Sequence, residues 1–510
     1  MADYDVIVVG GGHNGLTAAG YMAKSGLKTL VVEQRHIVGG ACVCEEIEPG
    51  FKFHLGATGI AAWLRPEVVR DLELESLGLE LVNQNPMYTT PFPDGKYLSI
   101  YSNLDDAHRE IMRFSKKDAD SYVEFFKKWN IFKSFLDPAL MNPPLSFINI
   151  VNAVSVSPEM LDMLLKGMFF GTLKKMLDDT FESEYVKTAI MGTSLDTSSF
   201  GPSATGLSSF IFHFIMTPSW RAVKGGIGNV TQTMARAVEK YGGKIKTGAK
   251  VQSIMVKKGK AVGIKLATGE EITASVVVSN ANPYVTFMEL VGIEHLSDKF
   301  AQSIASIRYE GEGMTLNLAL SELPDFNFPH ERLTGSIMTC PSWQDAEKAW
   351  CAYTIHEIPD SFVTLGYLPS YYDDTVAPPG KHLLSTFVYP LSYELAKGSW
   401  DERKEEVFDK IINDLAKYVP NLKKSIITRY GWTPLDRERN ISLTGGDACH
   451  GRMTWDRMFS FRPVSGFSDY RMPIDGLYLC GSGTHPGGGV SGASGHNAAK
   501  VVLGDWERGK

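Results

Sequence analysis

Short apolar runs closed by glycines mark both ends of the chain, and a helical period of apolar residues fills much of the middle. Val6-Ile7-Val8-Val9 is a continuous apolar run stopped by Gly10-Gly11-Gly12, as a buried strand feeding a turn would read. A helical pattern follows over about residues 14–25, and Gly26 stops it. A second apolar run, Thr29-Leu30-Val31-Val32, ends at Glu33. Residues 4–35 therefore predict strand, helix, strand. Residues 87–101 alternate around Asp94-Gly95 and predict a β-hairpin.

From about 104 to 220 the helical period dominates, with Phe125, Phe126, Trp129, Phe132 and Phe135, then Met160, Met163, Met168, Phe169, Phe170 and Met176. That spacing makes most of them core, and methionine also suits an adaptable apolar pocket. Residues 220–283 form a module. Lys224-Gly225-Gly226-Ile227-Gly228 precedes a helix with Ile227, Val230, Met234 and Val238 on one face. Strands over 251–256, 262–266 and 272–278 follow, turning at Lys258-Gly259 and Thr268-Gly269 and ending at Ser279-Asn280-Ala281-Asn282-Pro283. Residues 305–435 mix strands and helices among Pro-rich loops, and 474–504 read strand, Gly-rich loop, helix.

Composition narrows the class. The chain has 510 residues, 44% hydrophobic and 21% charged, with net charge −7. That length allows about two or three domains, or one large domain with insertions. The negative balance argues against a nucleic-acid partner, which needs a basic phosphate footprint. Six cysteines stand at 42, 44, 340, 351, 449 and 480 without a C-x-x-C or a zinc-spaced Cys/His cluster, so no metal site is predicted and a reducing cytoplasm fits. Met1 to Asp5 lead straight into the first strand without a signal pattern. The most apolar stretch, 207–217, is too short to span a bilayer. Peripheral membrane contact stays open. Residues 161–177 read as a basic amphipathic helix, with Leu161, Leu164, Leu165, Met168, Phe169 and Leu173 beside Lys166, Lys174 and Lys175.

The candidate chemistry lies at the two ends. Gly10-x-Gly12-x-x-Gly15 between a strand and a helix is a dinucleotide fingerprint. Gly10 permits the tight turn, Gly12 lets backbone approach a pyrophosphate, and Gly15 lets helix and strand pack closely. The helix N-terminus faces the phosphates. Glu33, 18 residues beyond Gly15, can accept both hydroxyls of an adenosine ribose and would repel a 2′-phosphate. Gly481-Ser482-Gly483-Thr484-His485-Pro486-Gly487-Gly488-Gly489 offers backbone that can pass close to a flat multi-ring ligand, followed by a helix at about 491–503.

V-x-G-G-G-x-N-G, Glu33, Gly39-Gly40 and the closing L-Y-L-C-G-S-G-T-H-P-G-G-G-V together resemble the phytoene-dehydrogenase family of FAD enzymes. Gly12-His13-Asn14-Gly15-Leu16, Val38-Gly39-Gly40-Ala41, Glu45-Glu46 with Pro49-Gly50-Phe51, and Leu64-Arg65-Pro66-Glu67 resemble its branch called pyridine nucleotide-disulfide oxidoreductase domain-containing protein 2. The resemblance implies an α/β fold: a Rossmann-type FAD-binding domain from residues 1–75, 220–300 and 441–510, with an inserted α+β substrate domain from 76–219 and 301–440. It assigns Gly10, Gly12, His13, Asn14, Gly15, Glu33 and Gln34 to the adenine-dinucleotide loop and Gly39, Gly40 and Ala41 to a second turn along non-covalent FAD. Val251 would meet the adenine, and Gly481, Gly483, Thr484, Gly488 and Val490 would wall the pyrophosphate and flavin. Gly226-Ile227-Gly228 has Thr at 231, so no second fingerprint for a nicotinamide is expected, and the electron acceptor is oxygen, a quinone or NAD(P).

Catalytic side chains are harder to read, because the flavin itself carries the hydride chemistry. His54, His213, His450 and His485 are the titratable candidates, with His485 inside the glycine loop and His54 after the second turn favoured for catalysis. Arg221 fits a surface or phosphate contact. Three functions remain open. The first is an FAD oxidoreductase that desaturates, saturates or isomerises an apolar, isoprenoid- or carotenoid-like substrate. The others are a flavin oxidase of a C–N or C–O bond, and a binding or escort protein that keeps the fold.

Overall fold

The structure is a computed structural model and describes residues 2–509 apart from 58, 60, 156, 196–200, 205–219 and 341. Strand β1 (Tyr4–Val9), helix α1 (His13–Lys24) and strand β2 (Thr29–Val32) follow one another as the apolar pattern requires. β1 lies at the centre of a seven-stranded sheet, parallel to β2 on one side and to Glu271–Ser279 on the other. Lys244–Lys246 extends the sheet beyond β2, and Leu477–Leu479 pairs in parallel with the end of Glu271–Ser279. The turn-rich module supplies Val251–Lys257 and Lys260–Leu266 as antiparallel strands at the far edge.

A strand buried on both faces reads as a continuous apolar run. Val6 and Val8 pack with Leu16 of α1, Met234 and Val238 of helix Gly228–Lys240, and Val502 of helix Ala493–Glu507. Ile7 and Val9 face the other way, against Ile254, Ile264, Phe287 and Phe300. Both faces are covered, so no position in the run could be polar without burying an unpaired group.

The second sheet also has seven strands, in the order Ile426–Tyr430, Met314–Leu320, His382–Tyr389, Val363–Tyr367, Ser336–Thr339, Tyr88–Pro91 and Tyr97–Ile100. The last two are the hairpin expected around Asp94-Gly95. Alternation decides which residue faces which layer. Leu384 and Val388 pack on helix Trp400–Leu415 with Val407 and Ile411. Leu365, Phe387 and Tyr389 point oppositely, toward a helical lobe that includes Lys116–Leu140, Leu173–Thr180 and Glu184–Leu195.

The stretch read as one amphipathic helix over 161–177 is broken. A wide-turned helix, Met163–Phe170, ends at Gly171 in extended conformation, and Thr172 then caps Leu173–Thr180. Leu164, Leu173 and Leu177 are buried. Lys166 pairs with Asp162, Lys174 with Asp178 and Lys175 with Asp179, so each cation of the expected basic face already has a carboxylate. No helix among the described residues is long and apolar enough to cross a membrane. The apolar stretch 207–217 and His213 lie outside the described residues.

Candidate active site

Two cavities meet where β1 gives way to α1, and both include His13, Ala41 and Ala448 in their walls. The first runs along the carboxyl ends of the parallel strands, where open α/β sheets bind ligands. Gly10, Gly12, His13, Glu33, Gln34, Gly40, Ala41 and Val251 line it. Asn280, Asn282, His450 and Ser482 complete the wall from later parts of the chain.

The first cavity fits a dinucleotide. Gly12 is the N-cap of α1 and offers no side chain, so the orphan N–H groups of the first turn are open to a ligand. Glu33 is 7% exposed; its carboxylate accepts the Gly11 and Arg35 amides, each at 2.8 Å. A carboxylate has about four lone-pair sites, so capacity remains for two ribose hydroxyls. His13 Nε2 and His450 Nδ1 are buried without a hydrogen-bond partner. Burial pushes both imidazoles down, to about 4 and about 3, so they are neutral near pH 7.

A further set of expected residues stands one layer behind. A Cβ on Gly15 would lie 2.2 Å from the Gly10 carbonyl oxygen, which shows how closely α1 is set against the strand. The Gly39 amide donates to the Gly11 carbonyl at 2.8 Å and holds the second turn against the first. Asn14 joins the two ends of the chain: its Nδ2 reaches Ser482 Oγ at 3.4 Å and its Oδ1 accepts from the Gly495 amide at 3.4 Å. Gly481, Gly483 and Gly488 pack against Asn280, Pro283 and Cys449, Thr484 Oγ1 donates to the Gly481 carbonyl at 2.8 Å, and none of the four is in the lining of either cavity. Gly489 and Val490 are. Gly489 has φ +91°, and a Cβ there would lie 1.7 Å from the Trp63 ring, so backbone and indole are in direct contact.

The second cavity is built differently. Gly56, Ala57, Trp63, Gly489 and Val490 form its glycine-loop side. Trp220, Leu365, Phe387, Tyr389 and Arg437 come from the second sheet and its flanks. Glu312 shares this wall.

The two histidines favoured for catalysis are placed elsewhere. His54 closes strand Phe51–His54, and its Nδ1 is bonded to the Tyr367 hydroxyl. His485 Nε2 is bonded to the Ala139 carbonyl at 3.0 Å, while its own carbonyl accepts from Tyr470. Both rings are buried, both are held down to about 4 by desolvation, and neither is in the lining of either of these two cavities. Arg221 is also absent from the linings; its Nη2 donates to the Leu64 carbonyl at 3.5 Å. Cys42 and Cys44 are free thiols behind the second turn, with Cys42 bonded to the Ile227 carbonyl and Cys44 accepting from the Gly228 amide. Burial pushes the Cys44 thiol up to about 12.

Sequence reasoning missed Asn280 and Asn282, although they end a predicted strand at the edge where such ligands bind. It also missed Trp63, Phe387, Tyr389 and Arg437, for which no local motif exists.

Residues 15–503 match the family described as flavin containing amine oxidoreductase. The mouse (Mus musculus) pyridine nucleotide-disulfide oxidoreductase domain-containing protein 2 is 35% identical, over 99% of this chain and 94% of its own. A lycopene-forming phytoene desaturase from Pseudescherichia vulneris is 24% identical, over 98% and 99%. Among solved structures, an oxidoreductase from Methanosarcina mazei superposes with TM-score 0.62 at 17% identity, over 98% of this chain and all of the other. The chain belongs to the family of flavin-containing amine oxidoreductases, and its cofactor is FAD.

Proposed function

We propose that this flavoprotein dehydrogenates an apolar, isoprenoid-like small molecule held in the second cavity. The observation that carries the reading is the composition of that wall: Trp63, Trp220, Leu365, Phe387, Tyr389 and Val490 crowd a space that continues into the dinucleotide cavity. FAD supplies two-electron acceptance when bound, so the protein's task is to position the substrate and exclude water. Glu33 and the open end of α1 would hold ribose and pyrophosphate. Gly489 and Val490 would bring backbone to the ring system, and the aromatic side chains would press the substrate against it. His13 is the histidine in this lining, and burial keeps it neutral, so it can orient a polar atom without carrying charge. Substrate drawn from a bilayer would arrive at the helical lobe, where Ile131, Ile148 and Phe170 are exposed.

The family description and the carboxylate of Glu312 in the same wall favour a second reading, oxidation of a C–N bond. Anaerobic titration of the yellow protein separates the two. Bleaching of the flavin by an acyclic isoprenoid and not by benzylamine is expected. Rapid bleaching by the amine, with oxygen uptake in air, selects the oxidase. A protein that purifies without flavin would return attention to an escort role.

A further inference from the structure

The second cavity holds a charge that an apolar ligand leaves unanswered. Arg437 lies on helix Pro434–Ile441, whose start is fixed by a reciprocal cap between Thr433 and Asp436. Its backbone is pinned through the Thr433 carbonyl at 3.1 Å. The side chain is 1% exposed, lines the second cavity, and stacks its guanidinium 4.3 Å from the centre of the Phe387 ring. Nε and Nη2 are both buried with no hydrogen-bond partner.

The nearby carboxylates are committed elsewhere. Asp436 pairs with Lys404 at 2.8 Å. Glu438 accepts from Tyr393 and from the Gly445 amide. Asp447 accepts from the Cys449 and Glu310 amides. Glu312 shares the cavity wall, and its charge helps keep Arg437 protonated without giving Nε or Nη2 a hydrogen bond. Stacking on Phe387 offsets part of the cost of burying a guanidinium but satisfies none of its N–H groups. Burial pushes Arg437 down only to about 10, so it stays a cation near pH 7. Buried charges in folded proteins are paired and hydrogen-bonded, and Arg437 is part of the cavity wall.

The two orphan nitrogens also say what shape of partner fits. Nε and Nη2 are the pair whose N–H bonds run parallel along one edge of the guanidinium, the geometry that receives a planar carboxylate through two hydrogen bonds. The FAD pyrophosphate is not that partner. Its seat, the uncapped start of α1 with Ser482, belongs to the first cavity, whose lining does not include Arg437. We infer that the substrate is amphipathic: an apolar chain ending in a carboxylate that docks on Nε and Nη2 of Arg437 at the end of the second cavity. The inference rests on the apolar-substrate reading and adds the polar end that fixes which stretch of the chain meets the flavin.

Farnesoic acid, farnesol and farnesene share a skeleton and differ at one end, so they test it on the FAD-loaded protein. Binding is read from tryptophan fluorescence, since Trp63 and Trp220 line the cavity, and from perturbation of the flavin spectrum, neither of which requires turnover. The acid should bind at least about tenfold tighter than farnesene, as expected for a bidentate charged contact. Arg437→Gln should abolish that preference, while FAD content, read as flavin absorbance per protein, stays as in the parent because Arg437 is not in the lining of the first cavity. Arg437→Lys should restore part of it, because an ammonium keeps the charge and loses the fork.

Equal affinity for acid and farnesene in the parent, or an acid preference that survives Arg437→Gln, overturns the inference and leaves the apolar reading standing. No response to any of the three, with a response to benzylamine, overturns the apolar reading instead. If Arg437→Gln does not fold, butyrate decides. Competition with farnesoic acid but not with farnesene supports the site, and no competition removes it.

Discussion

The two cavities are walls of one space and are made in opposite ways. The first is largely backbone: glycine turns, an open helix end and one carboxylate, all near the carboxyl ends of adjacent parallel strands. The second is largely side chain, with aromatic and aliphatic groups from segments near 63, 220, 365, 387 and 490 and the charged Arg437 and Glu312. Backbone recognition needs a short, fixed pattern of residues, since the turn itself is the binding element. Side-chain recognition needs only that a residue of suitable size project inward, and many sequences satisfy that. The difference separates a cofactor half that tolerates little change from a substrate half free to vary.

The sharpest way to break this contrast is Gly15→Val. A Cβ there collides with the Gly10 carbonyl, so α1 must move away from β1 and the phosphate seat opens. Complete loss of bound flavin is expected, measured as flavin absorbance per protein after gel filtration. A yellow Gly15→Val protein would show that the first cavity is not set by its backbone.

Glu33→Ala should act more gently, because the fold around it is kept by the sheet. Two charge-assisted hydrogen bonds to ribose are lost, worth roughly 1.5–3 kcal/mol each before water compensates. About 10- to 100-fold weaker FAD binding is expected on titration of the apoprotein. An unchanged dissociation constant would remove Glu33 from the ribose site.

The smallest effects concern the buried histidines outside the cavities. His54→Gln and His485→Gln should leave turnover within about threefold, whereas loss of a general acid or base costs about 10²- to 10⁴-fold. A loss of that size in either variant would restore the catalytic role read from the sequence. The same groups set a stability slope. His13, His54 and His485 have folded values near 4, and the unfolded value is about 6.5. Between these limits the unfolded chain binds protons that the native state refuses, so stability falls as pH drops. Each contributes about 1.36 kcal/mol per pH unit in that window. Tm should fall from pH 7 to pH 5, and a flat profile would show that these rings protonate without unfolding.

Much of the sheet carrying the cofactor could be read from residue patterns. β1, α1 and β2, the strands after 250 and the C-terminal strand and helix are local features with glycine punctuation, and each occupies the span its pattern suggests. The amphipathic reading of 161–177 failed because Gly171-Thr172 interrupts a period that the flanking leucines preserve. His485 misled for a related reason. It sits in a glycine-rich loop of which only the far end, Gly489, lines the second cavity, and its ring turns to the Ala139 carbonyl, a partner 346 residues distant. Arg437 is the clearest case. It lies in the charged run Asp436-Arg437-Glu438-Arg439, where Asp436 and Arg439 form ion pairs with Lys404 and Asp401. Only the packing of Phe387 beneath it shows that one cation of the run is buried.

The strand Leu477–Leu479 completes the sheet from the far end of the chain, and the helix behind it packs on α1. During synthesis the seat for FAD is therefore complete only once this strand and helix have been made. Until residues near 480–505 leave the ribosome, β1 and α1 stand with an apolar flank uncovered, and free flavin has nothing complete to bind. Cofactor binding thus waits on a segment far from β1 along the chain.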